Sequence, residues 1–245
     1  MMFPGKKLFS VGEVSSLLGV SIDTLRRWDK NGKLPAFRPH PKSHRYYRSE
    51  DIESFVPQNL VFQSKNWATA AEPSKPNAAW YYETRDFFQA RLSRMQAELV
   101  KLPNFLNLSY LCVAIAGEIG NNSFDHNLGN WPDIGGIFFG YDLKKRHIVL
   151  ADRGQGILKT LKRVRPQIKD DQEALRVAFT EILSGRAPEA RGNGLKFVKN
   201  IVASNPLKLK FQSGNAELEC DRHHSDLCIE KKDERIHGCL AIIDF

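Results

Sequence analysis

The sequence predicts an α+β chain in two parts, and three observations predict it. Two short capped helices around a Gly-Val-Ser turn open the chain, a basic and proline-rich extended stretch follows, and beyond residue 80 helices, apolar strands and glycine loops alternate. At 245 residues, length alone allows one large domain or two. The change in character divides it into residues 1–60, a linker-like 61–79 and a domain over 80–245.

Ser10-Val-Gly-Glu13 is a capping box, in which the serine oxygen accepts the amide three residues on and the glutamate reaches back. The helix it starts carries Val11, Val14, Leu17 and Leu18 at helical spacing and ends at Gly19. Ser21 caps a second helix that Asn31-Gly32 closes, with Leu25 and Trp28 expected inward. This is a helix-turn-helix. Its second helix would present Asp23, Thr24, Arg26 and Arg27 to a DNA major groove. Lys33 to Arg48 is too rich in proline for a helix and reads as an extended hairpin, before Ser49 caps a third helix.

The net charge of +8 and pI near 9.3 point to an anionic partner. Much of the charge is local: Arg26, Arg27, Lys30, Lys33, Arg38, Lys42, Arg45 and Arg48 cluster with Asp29 as the lone acid. No apolar run approaches the roughly 20 residues that span a bilayer, and the start lacks a signal-peptide core, so a cytoplasmic location with reduced cysteines is the expectation.

Phe9-Ser-Val-Gly-Glu-Val, Leu18-Gly-Val-Ser21, Thr24-Leu-Arg-Arg-Trp28, Gly32-Lys-Leu-Pro35, His44-Arg-Tyr46 and Glu50-Asp-Ile52 together resemble the winged helix-turn-helix of the MerR family over residues 7 to 57. The resemblance implies binding of double-stranded DNA by helix and wing, through Thr24, Arg26, Arg27, Lys42, His44, Arg45, Tyr46 and Arg48. That family normally continues into a long dimerisation helix, whereas Gln63 to Ala79 here is linker-like. A homodimer would need another seam. Tyr81, Phe88, Leu92, Met95, Leu99 and Leu102 recur at heptad spacing, which suits either a dimer or packing against the rest of the domain.

Within an apolar helix around residues 108–127, Glu118, Asn122 and either Asp125 or His126 share one face. A hairpin follows whose second strand ends in Asp152-Arg-Gly154-Gln-Gly156, where glycines allow close backbone approach. Later, Arg191-Gly192-Asn-Gly194 opens a helix whose amides suit a phosphate. In this order the three motifs resemble the GHKL ATPase superfamily over residues 80 to 245. The resemblance implies an α/β sandwich, a mixed sheet with helices on one face, whose last strands are Pro206–Phe211, Ala216–Cys220 and Gly238–Phe245. It implies ATP and magnesium: Asn122 on the metal, Glu118 on the attacking water, Asp152 accepting the adenine amino group, and Gly154 and Gly156 shaping the base pocket. Gly192 and Gly194 would admit the phosphates, His126 and Arg186 or Arg191 would touch them, and residues 157–189 would form a lid.

The helix expected from Trp80 to Leu102 has no histidine, and the only histidines before His126 are His40 and His44, which argues against two-component autophosphorylation. Open readings are an ATP-responsive DNA-binding regulator, an ATPase or serine/threonine kinase addressed to DNA and acting on a protein partner, and a recombination accessory factor. Cys220-Asp-Arg-His223-His224-Ser-Asp-Leu-Cys228 gathers possible zinc ligands but lacks a C-x2-C knuckle, and a polar hairpin tip between two strands competes with that reading.

Overall fold

In the computed structural model, which describes residues 7–18, 20–40, 43–55, 59–181, 193–222 and 224–245, the capping box forms as its chemistry requires. The Ser10 amide donates to Glu13 Oε2 at 2.8 Å, and Ser10 Oγ accepts the Glu13 amide at 3.3 Å. The chain divides into two units, Met1–Gln63 and Ser64–Phe245.

The first unit comprises β1 (Leu8–Ser10), α1 (Val11–Leu18), α2 (Ile22–Lys30), β2 (Tyr46–Arg48) and α3 (Ser49–Phe55). Ser21 caps α2 by accepting the Thr24 amide. Strands β1 and β2 pair antiparallel, and Phe37 bridges Tyr46, so the proline-rich stretch closes as a wing. Phe9, Val14, Leu18, Leu25, Leu34, Tyr47 and Ile52 form the core. Trp28 packs inward against Phe55 with ring centroids 5.1 Å apart.

Residues 61–69, expected as linker, fall in helix α4 (Leu60–Thr69). The reason is burial: Trp67 and Ala68 are covered, and the guanidinium of Arg153 donates to the carbonyls of Trp67 and Ala70. Residues 64–79 thus belong to the second unit.

That unit continues with β3 (Tyr81–Tyr82), α5 (Arg85–Leu99), α6 (Leu106–Asn127), β4 (Ile137–Asp142), β5 (His147–Asp152), α7 (Gly156–Lys162), α8 (Asp171–Thr180), α9 (Gly194–Ser204), β6 (Lys208–Ser213), β7 (Ala216–Asp221), β8 (His224–Lys231) and β9 (Cys239–Asp244). The chain is α+β, but the mixed sheet expected from the sequence is corrected. The seven strands run in the order β3-β4-β5-β9-β6-β7-β8, and every neighbouring pair is antiparallel. The helical crossover does return β6 in the direction of β5; β9 inserts between them, so no parallel neighbours arise.

One face of the sheet, through Phe139, Leu150, Leu209, Phe211, Leu218, Ala241 and Ile243, packs against α5, α6, α8 and α9. Of the heptad positions, Phe88, Leu92, Met95 and Leu99 of α5 are buried in this core and Leu102 packs against it, while Tyr81, expected on the same helix, lies in β3; the seam is spent inside the domain and is not free for a dimer. Gly120, which would weaken an isolated helix, is required here: a Cβ would stand 2.3 Å from the Phe88 ring. On the opposite face, Lys208 and Lys210 pair with Glu219. The expected lid is corrected for its described part, because Leu175 and Phe179 of α8 lie in the core; residues 182–192, with Arg186, Arg191 and Gly192, lie outside the described residues.

The hairpin reading of the cysteine-histidine segment holds as β7 and β8, whose Asp221 pairs His224. Cys220 points into the core, whereas Cys228 is exposed opposite Glu219, on the other face; His223 lies outside the described residues. Among the described residues no helix is long and apolar enough to cross a membrane.

Candidate functional sites

Helix α2 and the wing define the first site. Arg26, Arg27 and Lys30 from α2 and Arg38 and Arg45 from the wing line a cleft of about 500 Å³ with Asp29 among them. The lone acid of the basic stretch organises it. Asp29 accepts the Ala36 amide at 3.0 Å and Arg45 Nε at 2.9 Å, and it also binds the Arg38 guanidinium. Burial pushes the Asp29 carboxyl up, but the Ala36 amide and the two arginines outweigh burial and hold it below the usual carboxylate range. Two wing arginines are thereby held in one cleft with two helix arginines, a grouping of cations suited to phosphates. Sequence reading noticed Asp29 only as an exception; its distance in sequence from Arg45 concealed the role.

The other expected contacts divide. Arg26, Arg27, His44 and Arg48 are exposed, with the Arg48 guanidinium 5.0 Å above the Phe37 ring. Thr24 turns its hydroxyl to Ser21 at 3.0 Å, which places it in the cap, and Tyr46 is half-buried in β2. Lys42 lies outside the described residues.

The second site is a cavity at the carboxyl end of β5. Asn122, Ser123, His126 and Asn127 of α6 line it, with Asp152, Gly156, Ile157, Thr160, Leu195, Phe211 and Cys239. Three distant pieces of chain therefore converge. Asp152 is buried, with Ser123 Oγ donating at 2.7 Å and the Gly154 amide at 2.8 Å. Burial raises its carboxyl above the ordinary value, only partly offset by Ser123 and by the Gly154 and Cys239 amides. Among the described residues no cation pairs with it. Arg153, next in sequence and just past the end of β5, binds Asp133 at 2.7 Å instead.

The structure brings together Asn122, His126, Asp152 and Gly156 of the expected set. Glu118 and Gly194 meet beside the cavity: Asn122 donates to Glu118 at 3.3 Å, and a Cβ on Gly194 would fall 1.8 Å from Glu118 Oε1. Gly154 is obliged by Asn127, whose amide would lie 2.0 Å from an added Cβ. The open choice between Asp125 and His126 is decided, since Asp125 binds Arg85 while His126 lines the cavity.

Sequence reading missed Ser123 and Asn127. Asn127 takes the Gln155 amide at 2.8 Å and donates to the Ser123 carbonyl at 2.7 Å, fixing the Gly154–Gly156 turn against α6. Their i, i+4 spacing amid Ile119 and Phe124 was the available signal.

Residues 10–47 match the model of the MerR family regulatory protein. Over 60 residues, 24% of this chain and 14% of the relative, the chain is 42% identical to the type II methyltransferase M.Eco47II of Escherichia coli. Over 74 residues, 30% of this chain and 28% of the relative, it is 41% identical to the transcriptional repressor DcmR of Methylorubrum extorquens. The chain thus matches only about a seventh and about a quarter of these relatives' lengths. With two capped helices, a closed wing and a family match that spans them, the N-terminal unit carries a MerR-family helix-turn-helix.

Proposed function

We propose that the chain is a DNA-binding transcriptional regulator whose C-terminal domain binds ATP with magnesium, nucleotide occupancy setting DNA affinity or oligomeric state. For the first half the support is the MerR-family module with its ordered basic cleft. For the second, the observation that carries the reading is Asp152. A buried carboxylate, held by dipoles and facing a cavity walled by Ile157, Leu195 and Phe211, is a hydrogen-bond acceptor waiting for a donor on a flat apolar ligand. The amino group of adenine is such a donor.

Around it, Asn122 turns its amide nitrogen to Glu118, leaving its oxygen as the kind of donor magnesium takes. The start of α9 at Gly194 supplies amides for phosphate, with His126 on the near wall. Bound magnesium would neutralise phosphate charge; the protein's part is to orient the base, exclude water and hold the triphosphate against α6. The seam of α5 being consumed internally, a homodimer would use another surface.

Calorimetry on the full chain with ATP, ADP and GTP, with and without magnesium, tests the reading. ATP should bind saturably and Asp152→Asn should lose that heat; parent-like ATP binding by the variant overturns the assignment. At 100 times its dissociation constant a ligand contributes about 2.7 kcal/mol to the state that binds it, enough to shift DNA affinity about 100-fold. DNA titrations that coincide with and without ATP and magnesium would reject the regulatory half.

Glu118, placed between Asn122 and Gly194, favours a second reading in which ATP is also hydrolysed or its phosphate passed to a protein. Glu118→Ala should then keep ATP bound while turnover falls.

A further inference from the structure

Beyond the Asp152 cavity, we infer that the chain has a second ligand site, for a compact multivalent oxyanion, in the cleft on the other side of the Gly154–Gly156 turn. This cleft is about 390 Å³, within the size range of small-molecule sites. Three glycines border it. Gly156, Gly214 and Gly238, from three separate turns, all take left-handed conformations at φ 73°, 59° and 69°, and each leaves its share of the lining without a side chain. Three cations line it, Lys159 and Lys162 from α7 and Arg235 from the loop before β9, with His237 beside them.

One carboxylate belongs to the cleft, and it is already used. Asp171, only 6% exposed, accepts Arg235 Nη1 at 2.8 Å and the Asn215 amide at 3.2 Å, and so serves to hold Arg235 at the rim. The neighbouring cations Arg163 and Arg165 are also engaged, by Gln155 and Glu181. Lys159 and Lys162 are not: among the described residues neither has a hydrogen-bond or ion-pair partner. Two like charges one helical turn apart on a concave wall repel one another and focus positive potential into the cleft. A small anion with two or more charges removes that repulsion, and Arg235 offers it a planar fork.

Helix α7 keeps the two sites apart. Ile157 and Thr160 line the Asp152 cavity, Lys159 and Lys162 line the cleft, and Gly156 borders both. The lysines, expected from the sequence in a lid over ATP, therefore serve a different ligand.

Titration of the full chain with pyrophosphate, magnesium removed and ionic strength matched with sodium chloride, tests the site. The parent should bind, and Lys159→Gln with Lys162→Gln should weaken binding at least tenfold while leaving ATP binding unchanged. Asp152→Asn should do the reverse. Equal pyrophosphate binding by the parent and the double variant places the anion elsewhere and overturns the inference, as does no binding beyond the chloride control. Both lysines are exposed, and a thermal melt checks that the double variant folds. A citrate series assigns the class: tighter citrate indicates a polycarboxylate, tighter pyrophosphate a phosphate, and either order supports the site if the lysines are required. Pyrophosphate binding through Lys159 and Lys162 in a chain that ignores ATP would refute the nucleotide reading and leave the cleft standing.

Discussion

Asp29 and Asp152 are both largely withdrawn from water, yet the two units treat them in opposite ways. Asp29 sits between Arg38 and Arg45, which hold its carboxyl below the usual range. Among the described residues Asp152 meets only a hydroxyl and backbone amides, and burial leaves its carboxyl raised. A carboxylate saturated by cations is a positioning device, and what it positions is the cations. A carboxyl held by dipoles at the wall of a cavity has no cation paired with it among the described residues and keeps accepting capacity open, so its natural partner is a ligand. The nearest cation in sequence to Asp152 is Arg153, and it is taken up by Asp133 and by the carbonyls of Trp67 and Ala70.

The largest effect that sharpens this contrast should come from Arg153. Fully buried, it joins Asp133 to the carbonyls of Trp67 and Ala70, and Arg153→Met leaves those acceptors without their donor. Denaturant unfolding should show a loss of about 3–5 kcal/mol, the scale for breaking a buried ion pair. A loss near zero would mean that α4 is held by its apolar contacts.

An intermediate effect is expected at Asp29. Asp29→Asn removes the charge from three hydrogen bonds, costing about 1.5–3 kcal/mol. Its effect on DNA has a diagnostic sign. Counting charges, loss of an acid from a basic cleft should tighten binding; if Asp29 positions Arg38 and Arg45, binding should weaken at fixed salt. Tighter binding to duplex DNA across a salt series would break the comparison, because Asp29 would then be only a local counter-charge.

The smallest effect is a pH dependence of opposite sign at the two residues. An aspartate titrates at about 3.9 in an unfolded chain. For Asp29, lowered on folding, the stabilising contribution is present above that value and is lost as pH falls through the folded value. For Asp152, raised on folding, the contribution is fullest below it and is lost as pH rises through the folded value. Urea melts across the acid range should therefore show Asp29→Asn falling behind the parent as pH rises towards the unfolded value from below, and Asp152→Asn gaining on the parent as pH rises above it. Parallel curves would remove the electrostatic distinction.

Much of the first unit was legible because its signals are local. The Ser10–Glu13 box and the Ser21 cap each act over three residues, and both form as read. In the second unit, α6, the β4–β5 hairpin and the strand ends were also legible, since apolar periodicity reports burial whatever the partner. The wrong expectations were all about partners. The linker became α4 because a buried arginine far along the chain supplied donors to its carbonyls, and the heptad seam of α5 met α6 rather than a second chain.

The sequence by itself determined where the capped helices of the first unit begin, which residues must leave water, and which motifs follow one another, because caps, turns and periodicity act within a few residues. Only the tertiary structure decided that β9 lies between β5 and β6, that Ser123 rather than a cation holds Asp152, and that Lys159 and Lys162 turn away from that aspartate. Those outcomes rest on hydrogen bonds and packing between segments far apart in the chain, and a linear pattern carries no record of which of many compatible partners each group will meet.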